Sequence, residues 1–246
     1  MCMFGIYHRY VKRVVDLLLG MIAAVILALP MLLIALTIKC GDPGASVLFK
    51  QTRIGRNGKP FKIYKFRSMR SDAPRHMKSA DLTQEDYDRC VTRLGRVLRK
   101  YSLDELPQVF NILRGDMSFV GPRPVLANEK VVLDGREKAG LRFFRPGLTG
   151  WAQINGRNTL TDEEKVRYDG EYVRRVSLHF DLYCMLRTVL IVIGKKGFLE
   201  GSKDRLDRDA DFSTGDEFIL AECCEELDEE KLEDTALDGF QNESAK

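Results

Sequence analysis

The residues from Val14 to Ile38, VVDLLLGMIAAVILALPMLLIALTI, constrain this chain more than any others. Among these 25 residues only Asp16 and Thr37 are polar. Crossing a bilayer takes about 20 apolar residues, so the run is long enough to span. A secretory signal has a shorter apolar region, about 7–15 residues, and a small-x-small cleavage site. This run is longer and leads into TIKCGDPG, so it does not read as a cleaved signal.

Both flanks are basic. Arg9, Lys12 and Arg13 precede the run; Lys39, Lys50, Arg53, Arg56, Lys59, Lys62 and Lys65 follow it. Positive charge is retained on the cytoplasmic side, so both ends favour the same face. Pro30 removes a helical hydrogen bond and tends to kink or break a helix. Asp16 is costly at depth and belongs near the interface. A helix that enters, bends near Pro30 and returns satisfies both flanks. A straight span with a proline kink is the alternative.

The net charge of +3 conceals an asymmetry. Residues 200–246 hold 17 acids and 5 bases, net −12, and residues 1–199 hold 34 bases and 19 acids, net +15. A basic body calls for an anionic partner: nucleic acid, a phosphorylated substrate or anionic lipid. The acidic tail reads as a solvated, flexible extension. The six cysteines, at 2, 40, 90, 184, 223 and 224, make no CxxC pair, and there are only three histidines. A His/Cys zinc site is therefore excluded as a reading, and a reduced, cytosolic body is the simplest one.

Beyond the apolar run, residues 46–70 alternate and turn like a hairpin, with Asn57-Gly58 as the turn signal. Residues 71–86 read as a loop, and 87–100 place Val91, Leu94, Val97 and Leu98 at helical spacing. Residues 103–113 read as a second helix with Pro107 near its start. RGDMSFVGPRP and FFRPGLTGWAQINGRN read as loops with short strands, 161–175 as a charged helix, and 182–193 as an apolar helix or strand.

Asp104 and Glu105 sit side by side in KYSLDELPQVFNIL. Ser102 with Glu105 three residues later fits a capping box, and acids suit a first helical turn. The surrounding bases suggest more. Lys65, Arg67, Arg96, Arg99, Arg114, Arg123, Arg145 and Arg157 lie in turn-rich segments. Arginine forks bind phosphate oxygens, and Gly/Pro turns free N–H groups for an anion. An acid among them can hold Mg²⁺ or attack phosphorus itself. No GxxxxGK[ST] loop is present, which excludes an ordinary P-loop NTPase. Joined to a membrane segment, such a site suggests one hydrophilic and one lipid-borne substrate.

KFRSM, VTRLGRVLRKYSLDELPQVFNILRGDMSFVGPRP, RPGLTGWAQINGRN and DLYCMLRTVLIVIGKKG together resemble the bacterial sugar transferases, the monotopic polyprenyl-phosphate phosphoglycosyl transferases. The resemblance covers about residues 8–197, with four separated motifs in the family's order, and it is to the short form. It implies transfer of a sugar 1-phosphate from a UDP-sugar to undecaprenyl (polyprenyl) phosphate, with release of UMP. This is the first membrane step of a surface glycan pathway. It implies a ping-pong mechanism with Asp104 as nucleophile and Mg²⁺ ligand, and Glu105 as its catalytic partner. It implies that Lys65, Arg99, Arg123, Arg145 and Arg157 contact phosphates and nucleotide, and that the membrane helix is re-entrant and broken at Pro30. The inner (cytoplasmic) membrane of a bacterium is the implied location, with the catalytic domain on the cytoplasmic face.

The expected architecture is α+β. A re-entrant membrane helix over residues 1–40 precedes a small, mixed, mostly helical catalytic domain over 41–199, with a short hairpin and Gly/Pro/Arg-rich loops. An acidic tail follows over 200–246, for which the family pattern has no counterpart. Two other functions compete. A membrane-anchored module for nucleic acid or anionic lipid has no use for the acid pair and lacks the aromatic–basic interleaving that stacks bases, so no nucleic-acid partner is expected. A Mg²⁺-dependent hydrolase would use the same acids with water as acceptor. The motifs do not specify the sugar, the glycan pathway or the oligomeric state, and a homo-oligomer is compatible with them.

Overall fold

The computed structural model describes residues 7–70, 73, 84–156 and 159–194. The acidic tail, residues 200–246, and Arg157 lie outside the described residues.

A π-helical turn, Tyr7–Val11, leads into α1, Lys12–Gly41. Pro30 lies inside α1, which continues through it as one helix rather than ending there. A proline removes a single N–H, and the turns on either side can persist around it. One face of α1 meets the body along its whole length. Lys12, Asp16, Gly20, Met31 and Ile38 are buried, and Ala23, Ala24, Leu27, Ile34 and Ala35 pack against the same core. These positions follow steps of three and four residues, the spacing of one helical face. The opposite face carries Val14, Leu18, Met21, Ile22, Val25, Ile26, Leu29, Leu32, Leu33 and Leu36, all exposed. Burying one such side chain is worth about 1.5–3 kcal/mol, so this face together favours lipid over water by on the order of 10 kcal/mol or more. The run expected to be membrane-bound is therefore an apolar helix with one packed face and one lipid-ready face.

The hairpin forms as its turn chemistry predicts. β1, Leu48–Ile54, pairs antiparallel with β2, Pro60–Phe66, from Leu48↔Phe66 to Ile54↔Pro60. Asn57 and Gly58 both have positive φ, the requirement of the tight turn between twisted strands. Residues 87–100 do not form one helix. α2, Gln84–Cys90, and α3, Arg93–Lys100, are separated at Thr92, which is extended and accepts a hydrogen bond from Gly95 N–H at 2.9 Å. The apolar spacing survives the break because Val91 lies just outside α2. Gly95 is required by closeness: an added Cβ would stand 1.9 Å from the Ser68 carbonyl oxygen.

The anticipated helix over 103–113 is also divided. A 3₁₀ turn, Leu103–Glu105, precedes α4, Gln108–Arg114, with Pro107 capping the latter. The capping box expected of Ser102 is absent. Ser102 adopts a left-handed conformation (φ 53°), its side chain makes no cap, and Glu105 N–H bonds the Ser102 carbonyl instead. Glu105 has other partners, described below. The chain does contain a capping box, at Thr161 and Glu164.

β3, Ser118–Val120, and β4, Gly147–Thr149, form a two-stranded parallel pair. Around it lie α5, Lys130–Lys138, α6, Trp151–Ile154, α7, Asp162–Arg175, and α8, Leu178–Gly194. Three apolar clusters hold the body. Met31 and Ile38 of α1 pack with Phe66, Leu98 and Val109; Val120, Phe144, Trp151, Tyr172 and Cys184 form a second; Ile63, Ile112 and Met117 a third. Burial pushes the Cys184 thiol up to about 12, so it behaves as an inert core group.

Polar contacts pin the start of α1. Arg13 donates to the Ile112 carbonyl at 2.7 Å and the Leu113 carbonyl at 3.1 Å, the unpaired end of α4. Asp16 accepts from Ser118 Oγ at 3.0 Å and Phe119 N–H at 3.1 Å. Its cost in the apolar run is thus offset at Oδ1 by donors of β3, while Oδ2 is buried with no hydrogen-bond partner among the described residues. Asp181 of α8 accepts from Lys12, from Tyr7 Oη at 2.6 Å and from Tyr172 Oη at 2.8 Å.

Candidate active site

Asp104 and Glu105 lie on the 3₁₀ turn between α3 and α4, and both are buried. The turn is held from beneath by Leu103 and Leu106, which pack on the cluster that includes Met31 and Ile38 of α1. The acid pair is thereby seated on the apolar cluster to which α1 contributes Met31 and Ile38. From the other side, Asn111 of α4 clamps the hairpin. Its Oδ1 accepts from Tyr64 N–H at 3.0 Å and its Nδ2 donates to the Lys62 carbonyl at 2.8 Å. That clamp fixes β2 and brings Lys65 over the turn.

Glu105 Oε1 accepts from Lys65 Nζ at 2.7 Å and from Arg123 Nη2 at 3.4 Å. Lys65 lies 40 residues before Glu105 and Arg123 lies 18 after it. Arg123 is braced in turn. Arg136 of α5 donates to the Arg123 carbonyl at 2.8 Å and holds the buried Asp169 of α7 at 2.6 Å. The loop carrying Arg123 is therefore tied to two helices rather than left free.

A small cleft opens beside Glu105, lined by Arg53, Lys65, Gln108, Arg123 and Gly147 among others. Arg53 donates to Gln51 Oε1 at 2.7 Å and to the Pro124 carbonyl at 3.3 Å, with Glu129 at 3.7 Å. Burial first, and the Arg123 charge next, draw its guanidinium down to about 10, still cationic at neutral pH; Glu129 and Glu105 oppose the shift. Lys65 and Arg123 thus hold Glu105, and Arg53, which pairs with Glu129, lines the same cleft; its lining carries more cations than acids, which suits a phosphoryl anion. A larger cavity of about 340 Å³ lies beyond Pro122 and Val125, against the hairpin turn and α5. It contains neither acid of the pair, so size alone does not mark the reacting centre.

Of the residues anticipated from the sequence, Lys65, Glu105 and Arg123 meet directly. Arg99 is buried at the end of α3, where its Nε donates to Ser68 Oγ at 2.9 Å. Arg145 is not brought to the cleft. Its Nε donates to the Gly115 carbonyl at 2.9 Å, on the side facing Arg13 and Asp16. Arg53, Gln108, Arg136 and Asp169 were not anticipated. Only Gln108 carried a local signal: three residues after Glu105, it lies one turn on, toward the same side.

A buried carboxylate, Glu105, gripped by Lys65 and Arg123 in a body packed on an apolar helix is an arrangement suited to a membrane-bound protein that handles phosphoryl groups. Comparison with known proteins narrows it. The family model described as bacterial sugar transferase matches residues 7–195. The UDP-glucose:undecaprenyl-phosphate glucose-1-phosphate transferase of Escherichia coli (strain K12) is 41% identical over 199 residues, which cover 78% of this chain and 41% of that protein. The exopolysaccharide production protein ExoY of Sinorhizobium fredii is 40% identical, covering 76% of this chain and 87% of that protein. A UDP-N-acetylgalactosamine-undecaprenyl-phosphate N-acetylgalactosaminephosphotransferase of Aeromonas hydrophila is 37% identical, covering 76% and 44% respectively. The chain spans about two fifths of the longer relatives and most of the shorter one. It belongs to the bacterial sugar transferase family. With its apolar helix, that membership assigns it to the inner membrane, with the catalytic domain on the cytoplasmic face.

Proposed function

We propose that this chain transfers a sugar 1-phosphate from a UDP-sugar to undecaprenyl phosphate, releasing UMP, in two half-reactions through a phosphosugar on Asp104. The observation that carries the reading is Glu105 held between Lys65 and Arg123, immediately beside Asp104 on one turn. In the first half-reaction an Asp104 carboxylate oxygen attacks the sugar-bearing phosphorus. An O–P bond forms as the bond to UMP breaks, and UMP leaves with the electron pair. In the second, a phosphate oxygen of undecaprenyl phosphate attacks the same phosphorus. The bond to Asp104 breaks and its carboxylate is regenerated. Lys65 and Arg123 offset phosphoryl charge in both steps, and Glu105 orients them. Arg99, on the helix that leads into the turn, joins them as a phosphate contact.

Mg²⁺ fits the donor set. Such a site uses one or two carboxylates with phosphate oxygens and water, and no trio of His, Cys, Asp or Glu is found among the described residues. The family resemblance assigns the metal to Asp104, and Mg²⁺ bound there would neutralise phosphoryl oxygens. The relatives' names specify glucose in one case and N-acetylgalactosamine in another, so the donor sugar is a question for assay. Purified protein with Mg²⁺ and a panel of UDP-sugars is expected to release UMP from one donor, only when undecaprenyl phosphate is supplied for turnover. Release without the lipid at the same sustained rate would make it a hydrolase and overturn the transfer reading.

We further propose that both ends of α1 lie on the cytoplasmic side of the bilayer, with its exposed apolar face set into lipid. A 30-residue helix is about 45 Å long, more than a bilayer core, yet its first and last turns both rest on the one catalytic body. A straight crossing would separate Lys12 from Lys39 by the membrane and drag the packed body into lipid. Cys40 is exposed at the end of α1, and Cys2 precedes its start. Both are expected to resist a membrane-impermeant thiol reagent added outside spheroplasts and to react after permeabilisation. Labelling of Cys2 from outside would establish a span.

A further inference from the structure

Gln108 is the first residue of α4 and is only 2% exposed. It lines the cleft with Arg53, Lys65, Glu105 and Arg123. Its Nε2 is buried and has no hydrogen-bond acceptor among the described residues. A buried amide donor without an acceptor is rare and calls for a cause. Ligand sites supply one, because the missing acceptor arrives with the ligand. The cleft's own charge says what kind: Arg53, Lys65 and Arg123 line it against the single acid Glu105, with Glu129 behind Arg53, and this excess of cations selects an anion, which needs a donor where Gln108 offers one. The cleft's volume of about 20 Å³ admits one oxygen-sized group, not a whole phosphate.

We propose that Gln108 is a substrate-binding residue whose amide N–H donates to one non-bridging phosphoryl oxygen of the UDP-sugar, seated among Arg53, Lys65 and Arg123. This rests on the transferase reading above. Gln108 lies one turn after Glu105, so the α4 start presents a fixed donor beside the acid pair. Gln108 would thus orient the phosphoryl group toward Asp104 while the cations neutralise it. A neutral donor does what a fourth cation would not: it fixes direction without deepening the hold on the leaving UMP.

The test uses full-length protein in detergent or nanodiscs and the donor found in the UDP-sugar panel. Gln108→Met keeps the side chain's length and removes both polar ends. Gln108→Glu keeps its shape and replaces the donor with an oxygen. The expected result is a fall in kcat/KM for the donor of roughly tenfold to a hundredfold in Gln108→Met, the cost of losing a hydrogen bond to a charged group. Its Tm should stay within about 3 °C of wild type, since the lost donor was unpaired in the free protein. Gln108→Glu should lose more activity with Tm unchanged or raised, because its carboxylate can pair with Lys65 and Arg123 when no donor is bound. That opposed movement of Tm and kcat/KM is one a structural role, or a trapped water, does not produce. A kcat/KM within twofold of wild type in either folded variant overturns the proposal. So does a lowered Tm with unchanged kcat/KM per folded molecule. Wild-type protein that releases no UMP from any donor would instead overturn the transferase reading, and this inference with it.

Discussion

Asp104→Asn is expected to cut UMP release by about a thousandfold or more, the scale seen when a covalent nucleophile is removed. Asparagine has nearly the same shape as aspartate, so the turn Leu103–Glu105 and its buried seat on the apolar cluster are retained. What is lost is the anionic oxygen that attacks phosphorus. A Tm within about 3 °C of wild type is the accompanying expectation, as for other substitutions that leave packing untouched. Two observations on wild-type protein complete the test. Incubation with the donor alone should give a burst of UMP equal to the enzyme present, and intact-mass analysis should show one added phosphosugar. The adduct should be absent in Asp104→Asn. An adduct mapped to another residue, or substantial release from the variant, would remove Asp104 from the nucleophile's role. Glu105→Gln provides the contrast. It leaves Lys65 and Arg123 without their carboxylate, so activity should fall while some adduct still forms on Asp104.

The second large effect is on stability. Asp181→Ala is expected to cost about 3–5 kcal/mol, the penalty for stranding one member of a buried ion pair. Asp181 is 3% exposed and accepts from Tyr7, Tyr172 and Lys12, with Lys12 itself only 6% exposed. Burial, with the Asp181 charge next, pushes the Tyr172 phenol well up, so it remains a donor at any working pH. Truncating Asp181 strands the Lys12 charge and the Tyr7 hydroxyl and leaves the Tyr172 hydroxyl only the Val120 carbonyl at 3.2 Å. A fall in Tm of roughly 10 °C follows for a domain of this size. The site matters because Asp181 joins α8 to the turn that feeds α1, so its loss also loosens the anchor. Replacing both charged partners together, Lys12→Met with Asp181→Leu, should recover most of the loss, because an apolar pair carries no stranded charge. A Tm within 2 °C of wild type in Asp181→Ala, or no recovery in the double variant, would show that the contact is incidental.

Much of the architecture was legible where the signal is local. Asn57-Gly58 requires positive φ at both turn residues, so the hairpin and its strands follow from two letters and the alternation around them. The charged run closing at Arg175 appears as α7 because it carries its own periodicity, whereas the apolar run over 182–193, open between helix and strand in the sequence, is helical within α8. The errors were local too. Thr92 and Gly95 divide one apolar spacing into two helices, since the Ser68 carbonyl needs Gly95 pressed against it. Ser102 and Glu105 have the letters of a capping box, but Glu105 turns to Lys65 and Arg123, where a charged pair outweighs a cap.

The chain by itself determined which groups exist for the chemistry: an acid pair, a supply of arginines, an apolar helix with basic flanks and the order of four motifs. Tertiary structure decided which of them meet. Lys65 and Arg123 reach Glu105 because Asn111 clamps the hairpin to α4 and Arg136 ties the Arg123 loop to Asp169. Arg145, equally plausible in the sequence, goes to the Gly115 carbonyl instead. Arg53 and Gln108 enter the cleft with little or nothing in their neighbours to announce it. The reason is physical. Backbone propensity and side-chain periodicity act over a few residues, whereas a site is made by contacts between segments that are distant in the chain. Only the packing of α1, the hairpin and α4 brings those segments within hydrogen-bond reach.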